Sequence, residues 1–136
     1  MTASDVQLAA VTLTADQVNN LHANPITVVR APGPGSLVDA LSILYVCRHG
    51  DDNFVGGGPV NLYWNSGTAI GTNGITAAQL KGGASLLIRD VPASAAVNLA
   101  NALDKAVVLR NHSSLEYAGS SGTLTVLVAY RVISGL

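Results

Sequence analysis

The densest grouping of side chains able to do chemistry is Cys47, His49, Asp51 and Asp52. On an extended chain alternate residues share a side, so Cys47 and His49 point the same way and offer two ligands to one metal. A complete site needs a third and a fourth ligand, and the sequence supplies only carboxylates in a flexible turn. The spacing reads as a strand running out into a solvated loop, not as a metal centre. Jelly-roll metalloenzymes of the cupin type need two His one residue apart, followed by Glu. Here His22, His49 and His112 stand singly, and Glu116 is the only Glu.

Other chemistries find less to work with. No Ser or Thr sits in a nucleophile elbow, and the turn serines are explained by loop chemistry. Gly56 to Gly58 lack a following Lys and Ser/Thr, and they lead through Pro59 into a strand, so they do not form a phosphate loop. The eight acids are mostly Asp in turns, a poor source of the paired carboxylates that glycoside cleavage requires. Tyr63 and Trp64 could stack on a sugar, but alternation puts Trp64 on the core side with Val60 and Leu62 and leaves Tyr63 alone outside. No catalytic, metal-binding or cofactor-binding residue is assigned.

The arginines show a pattern. Arg30, Arg48, Arg89, Arg110 and Arg131 each follow an apolar run, at or near the end of a strand. Antiparallel neighbours reverse direction, so these side chains should divide between the two ends of a sandwich. Charge where a strand leaves the core accounts for most of this. The sharper expectation is that the arginines of one end meet acidic groups on a partner, with Arg48 and Arg110 as the candidates. Replacing either with Ala would then weaken attachment without unfolding the chain.

The elements that position these residues are strands. Leu37 to Arg48, Val60 to Asn65, Ala106 to Asn111 and Thr123 to Ile133 are rich in β-branched and aromatic residues. Val6 to Thr12, Ile26 to Arg30 and Ser85 to Val91 follow the same pattern. Pro32, Gly33, Pro34 and Gly35 make a turn that neither a helix nor a central strand would tolerate. Thr14 with Gln17 forms a capping box for a short helix through Leu21. Thr76 to Leu80, closed by Gly82 and Gly83, is a second, and Ala95 to Leu103 is a candidate third. Residues 1–136 read as one all-β domain, a jelly-roll-like antiparallel β-sandwich with one to three short helices.

Two strands are apolar on both sides. In Leu37 to Arg48, alternation gives one face Leu37, Leu41, Ile43, Tyr45 and Cys47, and the other Val38, Ala40, Leu44 and Val46. In Thr123 to Ile133, Leu124, Val126, Val128, Tyr130 and Val132 are backed by Leu127, Ala129 and Ile133. An antiparallel strand with one wet side should alternate polar and apolar. A packed helix or a neighbouring subunit must cover the second face. Composition favours the subunit: 49% of the 136 residues are hydrophobic and only 11% are charged, against about 25% in an ordinary soluble domain. Leu44, Val46, Leu127 and Ala129 are the candidate interface, beside Arg48 and Arg110.

Composition also removes whole classes of function. A net charge of −1 gives no footprint for nucleic acid or an anionic membrane. One cysteine cannot make a disulfide scaffold, and Cys47 in an apolar run reads as a packed thiol in a reducing compartment. The first residues lack the basic-then-apolar pattern of a secretory signal, and no run approaches the length of a membrane span.

The chain resembles the small head decoration, or cement, proteins of tailed bacteriophages. The resemblance rests on Leu13-Thr14-Ala15-Asp16-Gln17-Val18 with Leu21, on Pro25 to Val29 before the Pro-Gly turn, and on Gly56-Gly57-Gly58-Pro59-Val60-Asn61-Leu62-Tyr63. Ile75 to Ala78 with Leu80, and Gly122 to Val132, extend it over most of the sequence. It implies a jelly-roll-like domain, trimeric, made in the host cytoplasm and seated on the outside of the virion shell. There it binds the major capsid protein and stabilises the shell without catalysis, cofactor, nucleic acid or membrane. The few residues before the first strand set it apart from relatives that clasp neighbours with long arms. A tail or fibre protein that binds the host, and a small carbohydrate-binding module, are the competing readings.

Overall fold

The computed structural model describes all residues, Met1–Leu136. Its elements run β1 (Thr2–Ala3), β2 (Gln7–Leu13), α1 (Ala15–Asn19), β3 (Ile26–Val29), β4 (Leu37–Arg48), β5 (Val55–Gly56) and β6 (Val60–Trp64). They continue with α2 (Ala77–Lys81), β7 (Leu86–Asp90), a 3-10 turn (Leu99–Asn101), β8 (Val107–Asn111), β9 (Tyr117–Ala118) and β10 (Thr123–Ser134). The seven strands expected from sequence are all present. The short β1, β5 and β9 are additional, each too brief to carry a periodicity.

The fold is an all-β antiparallel sandwich. Sheet A orders β1 and β2, both on one edge of β10, then β10, β4 and β7; sheet B orders β3, β8 and β6. The long strands pass alternately between the sheets: β2 in A, β3 in B, β4 in A, β6 in B, β7 in A, β8 in B and β10 in A. Between them lies one hydrophobic cluster of 22 buried residues, centred on Tyr45, Leu62, Leu109, Leu124 and Val126. The paired ribbon β5–β9 closes one end, where Phe54 packs edge-on against Tyr117 at 6.1 Å.

The open side between β6 and β7 is closed by residues 69–75. This segment bridges to β6 at Tyr63 and Val60 and to the end of β7 at Pro92. Asp90, only 5% exposed, holds it by accepting from the amides of Asn73 and Gly74. Asn61 donates to the Gly71 carbonyl at 2.8 Å. A Cβ on Gly71 would run into both the Asn61 amide and the Asp90 carboxylate, so only glycine fits there.

β4 departs from the simple alternation read in its sequence. Ala129 of β10 lies opposite Ser42 and Tyr130 opposite Ala40, which leaves Leu41 as an extra, bulged residue. The bulge exchanges faces halfway along the strand. Val38 and Ala40 therefore join Ile43, Tyr45 and Cys47 in the core, while Leu37 and Leu41 do not. The earlier assignment of those four residues is corrected accordingly; Leu44 and Val46 stay on the outer side.

Both short helices start with capping boxes, Thr14 with Gln17 as read in the sequence and Thr76 with Gln79, which was not singled out there. α1 stops at Asn19, short of Leu21, although Leu21 is fully buried. Gly82 ends α2 in an extended conformation. The third helix over Ala95 to Leu103 shrinks to Leu99–Asn101, because the Asn98 side chain accepts from the Ala100 amide and favours a single turn. No helix is long and apolar enough to cross a membrane.

Candidate functional site

The Cys47–Asp52 grouping does not converge. Cys47 points into the core, and burial pushes its thiol up to about 11, which leaves it protonated and inert. Asp52 turns the other way and accepts from the hydroxyls of Ser121 and Ser120, with a further bond from the Ser120 amide. Those bonds, the Ser121 hydroxyl first, hold its carboxyl below the usual carboxylate range. The arrangement ties the Gly50–Phe54 loop to the Ser120–Gly122 turn. No three His, Cys, Asp or Glu side chains come together.

The outer face of sheet A is the feature that stands out. Reading across the strands, one row runs Leu8, Ala129, Ser42. The next runs Ala10, Leu127, Leu44, Arg89, and the third Thr12, Thr125, Val46, Leu87. Arg89 is the only charge in the three rows. Thr12 and Thr125 hydrogen-bond to each other through their hydroxyls at 2.9 Å. Leu8 is 66% and Leu87 56% exposed; Leu44, Val46, Leu127 and Ala129 are half-buried by their neighbours. At the rim Arg131 pairs with Asp39 at 3.0 Å.

No helix lies across this face. α1 sends Ala15 and Val18 into the core from the end of the sandwich, and α2 sits beside β5. With strands about 4.8 Å apart and rows about 6.8 Å apart, the face projects to roughly 400 Å². That is as large as the largest patch a typical monomer exposes. It is also about half of what one partner contributes to a standard interface, which leaves room for a polar rim.

The structure thus brings four of the six candidate interface residues together, Leu127 directly opposite Leu44. It separates the two arginines. Arg48 is exposed at the end of β4 in sheet A, whereas Arg110 is half-buried on β8 in sheet B. Both still lie at the same end of the sandwich, since Arg48 pairs with Thr123 at the start of β10 and Arg110 with Asn61 at the start of β6. Arg30 and Arg131 lie toward the other end, as strand reversal requires, whereas Arg89 stands level with Leu44 in the middle of sheet A. Sequence reasoning did not include Leu8, Ala10 and Leu87 in the face; the alternation of their own strands marks all three as outward once β2, β10, β4 and β7 are known to be neighbours.

Sheet B presents different chemistry. Trp64 is half-buried and packs on the core, consistent with its side of β6. Tyr63 is not the lone outward ring that alternation suggested: it is half-buried and stacks on His112, ring centres 5.7 Å apart and planes 22° from parallel. Burial raises the Tyr63 phenol above its ordinary range, and the nearby Arg110 charge opposes that rise. Deeper inside, burial raises Tyr117 to about 12 while its hydroxyl donates to the Gly58 carbonyl. Tyr45, fully buried, is raised further still, by burial first and by Asp90 second.

Compared with protein-family models, with curated proteins and with solved structures, the chain matches none.

Proposed function

We propose that this chain is a structural subunit that assembles through the outer face of sheet A and decorates the outside of a bacteriophage shell, which it stabilises without catalysis. The observation that carries the reading is the uncovered apolar face, eleven positions with one charge, on a chain with few charges to keep a lone copy dissolved. The regular passage of successive strands between two sheets supports the jelly-roll reading that the resemblance implies. The partner of the apolar face is a second copy of the same chain, and the assembly a trimer near 41 kDa, three times 13.8 kDa.

The mechanism is one of linkage. A subunit that binds only the expanded shell stabilises that state by RT ln(1 + [L]/Kd), about 2.7 kcal/mol at a hundredfold excess over Kd. Three linked copies bind more tightly than one without any stronger single contact. The test is to add purified protein to expanded shells that lack it and measure their disruption temperature. A rise that saturates with protein is expected; no shift at saturating protein refutes the reading.

A further inference from the structure

Asn73 is the only asparagine of the chain that is followed by glycine. In such a pair the glycine nitrogen can attack the asparagine side-chain amide, because no Cβ crowds the approach. The glycine has a structural reason to be there: Gly74 has φ +64°, and a Cβ on it would strike the Val60 carbonyl and Asn61. Asn73 is exposed and Gly74 is buried. Asp90 holds both of their amides, the Asn73 N–H on Oδ1 at 3.1 Å and the Gly74 N–H on Oδ2 at 2.7 Å. Next to them, Thr72 donates to the Val91 carbonyl through its amide and its hydroxyl, each at 2.9 Å.

This clamp opposes the reaction in two ways. The Gly74 nitrogen must lose its proton before it attacks, and an amide anion beside the Asp90 carboxylate would put two like charges together. The nitrogen must also swing toward Asn73 Cγ, which breaks a hydrogen bond to a charged acceptor. We propose that Asn73–Gly74 is a latent self-modification site that Asp90 keeps shut, and that local opening of residues 71–74 releases it. Once open, the Gly74 nitrogen gives its proton to hydroxide and bonds to Asn73 Cγ. The Cγ–Nδ2 bond breaks, and the departing nitrogen takes a proton from water and leaves as ammonia. Water then opens the succinimide ring, at Cγ to give aspartate or at the Asn73 main-chain carbonyl to give isoaspartate. Isoaspartate inserts a carbon into the main chain and leaves a free carboxylate beside Asp90, so neither geometry nor charge lets Gly74 return to its acceptor. A transient opening becomes permanent, in the segment that closes the sandwich between β6 and β7.

The test uses the full chain, folded in mildly alkaline buffer and unfolded in urea. Fragment mass spectrometry locates the product at residue 73 by the mass gained when an amide becomes an acid. Folded protein should react at least about a hundredfold more slowly than unfolded protein, for loss of the bonds to Asp90. Hydrogen exchange at the Gly74 amide should be slowed by a similar factor, since both processes need the same opening and the same loss of a proton. Asp90→Asn keeps the shape and removes the charge, so both rates should rise at least about tenfold in a chain that is still folded. Reacted protein, separated by its added negative charge, should have lost protection at Gly74 while β10 keeps its own. The proposal is overturned if folded wild type reacts as fast as unfolded, if its reaction is slowed much less than Gly74 exchange, if folded Asp90→Asn reacts no faster than wild type, or if reacted protein still protects Gly74. Should Asp90→Asn fail to fold, the wild-type comparison of reaction with exchange decides alone. None of these outcomes bears on the shell-stabilisation test.

Discussion

If the outer face of sheet A joins copies of the chain, removing its two most exposed leucines must weaken assembly and leave the fold alone. Leu8 and Leu87 stand at opposite edges of the face, 66% and 56% exposed. Full burial of a leucine contributes about 2 kcal/mol, so covering the exposed part contributes about 1.3 and 1.1 kcal/mol. Leu8→Ser with Leu87→Ser should therefore cost about 2.4 kcal/mol for each copy brought into the assembly, roughly a 60-fold loss in that equilibrium. Both side chains already face water in the isolated subunit, so its own stability should change by no more than about 0.5 kcal/mol per site. Sedimentation equilibrium over a range of concentrations measures the first effect, and thermal unfolding of dilute protein the second. Two results refute the reasoning: wild-type protein that stays a monomer at about 100 μM, or a double variant that assembles as well as the wild type.

Two further expectations test the interior and the loop end. Tyr45 is fully buried and its hydroxyl has no partner, so Tyr45→Phe keeps the packing and deletes a desolvated group. Stability should rise by about 1 kcal/mol, seen as a melting midpoint several degrees higher, whereas a loss of that size would mean the hydroxyl is bonded. The Asp52 carboxyl is depressed in the folded chain relative to 3.8, so its hold on Ser120 and Ser121 is present above about pH 4 and lost as pH falls through the depressed value. The Ser120 amide signal should be constant from pH 6 to 4 and move only below, and Asp52→Asn should abolish that step; movement between pH 6 and 4.5 would contradict it.

How far the sequence reveals the fold depends on the range of the interaction. Strand positions and capping boxes are written locally, and β4 begins and ends at the residues its composition marks, Leu37 and Arg48. The Leu41 bulge is not legible, because Leu-Val-Asp-Ala-Leu alternates plausibly in either register and only β10 decides between them. The role of Asp90 is hidden for a similar reason. An aspartate that ends a strand reads as solvated, yet here it is buried and holds the segment that closes the open side of the sandwich between β6 and β7. The apolar face was half visible: Leu44, Val46, Leu127 and Ala129 betray themselves by breaking alternation in long strands, while Leu8 and Leu87 lie in the short apolar runs Leu8 to Val11 and Leu86 to Ile88, whose outward side is fixed only by pairing with β10 and β4. Arg110 is singled out by where its strand ends, but its neighbourhood with the Tyr63–His112 stack exists only across strands.

The two outer faces make unequal demands, and this asymmetry constrains how the subunit can be used. Sheet A offers apolar area with no directional bonds, suited to packing many small contacts between surfaces of matching shape. Sheet B offers the Tyr63–His112 stack, a half-buried Arg110 and the Asn61 amide already bonded at both ends. An apolar patch is best hidden permanently, since its exposure invites nonspecific association. Under the proposed function, self-association through sheet A would leave the sheet B face of every copy free, so that several identical polar faces could meet a repeating surface together. Such a surface would then be held by avidity, even where each copy alone binds weakly.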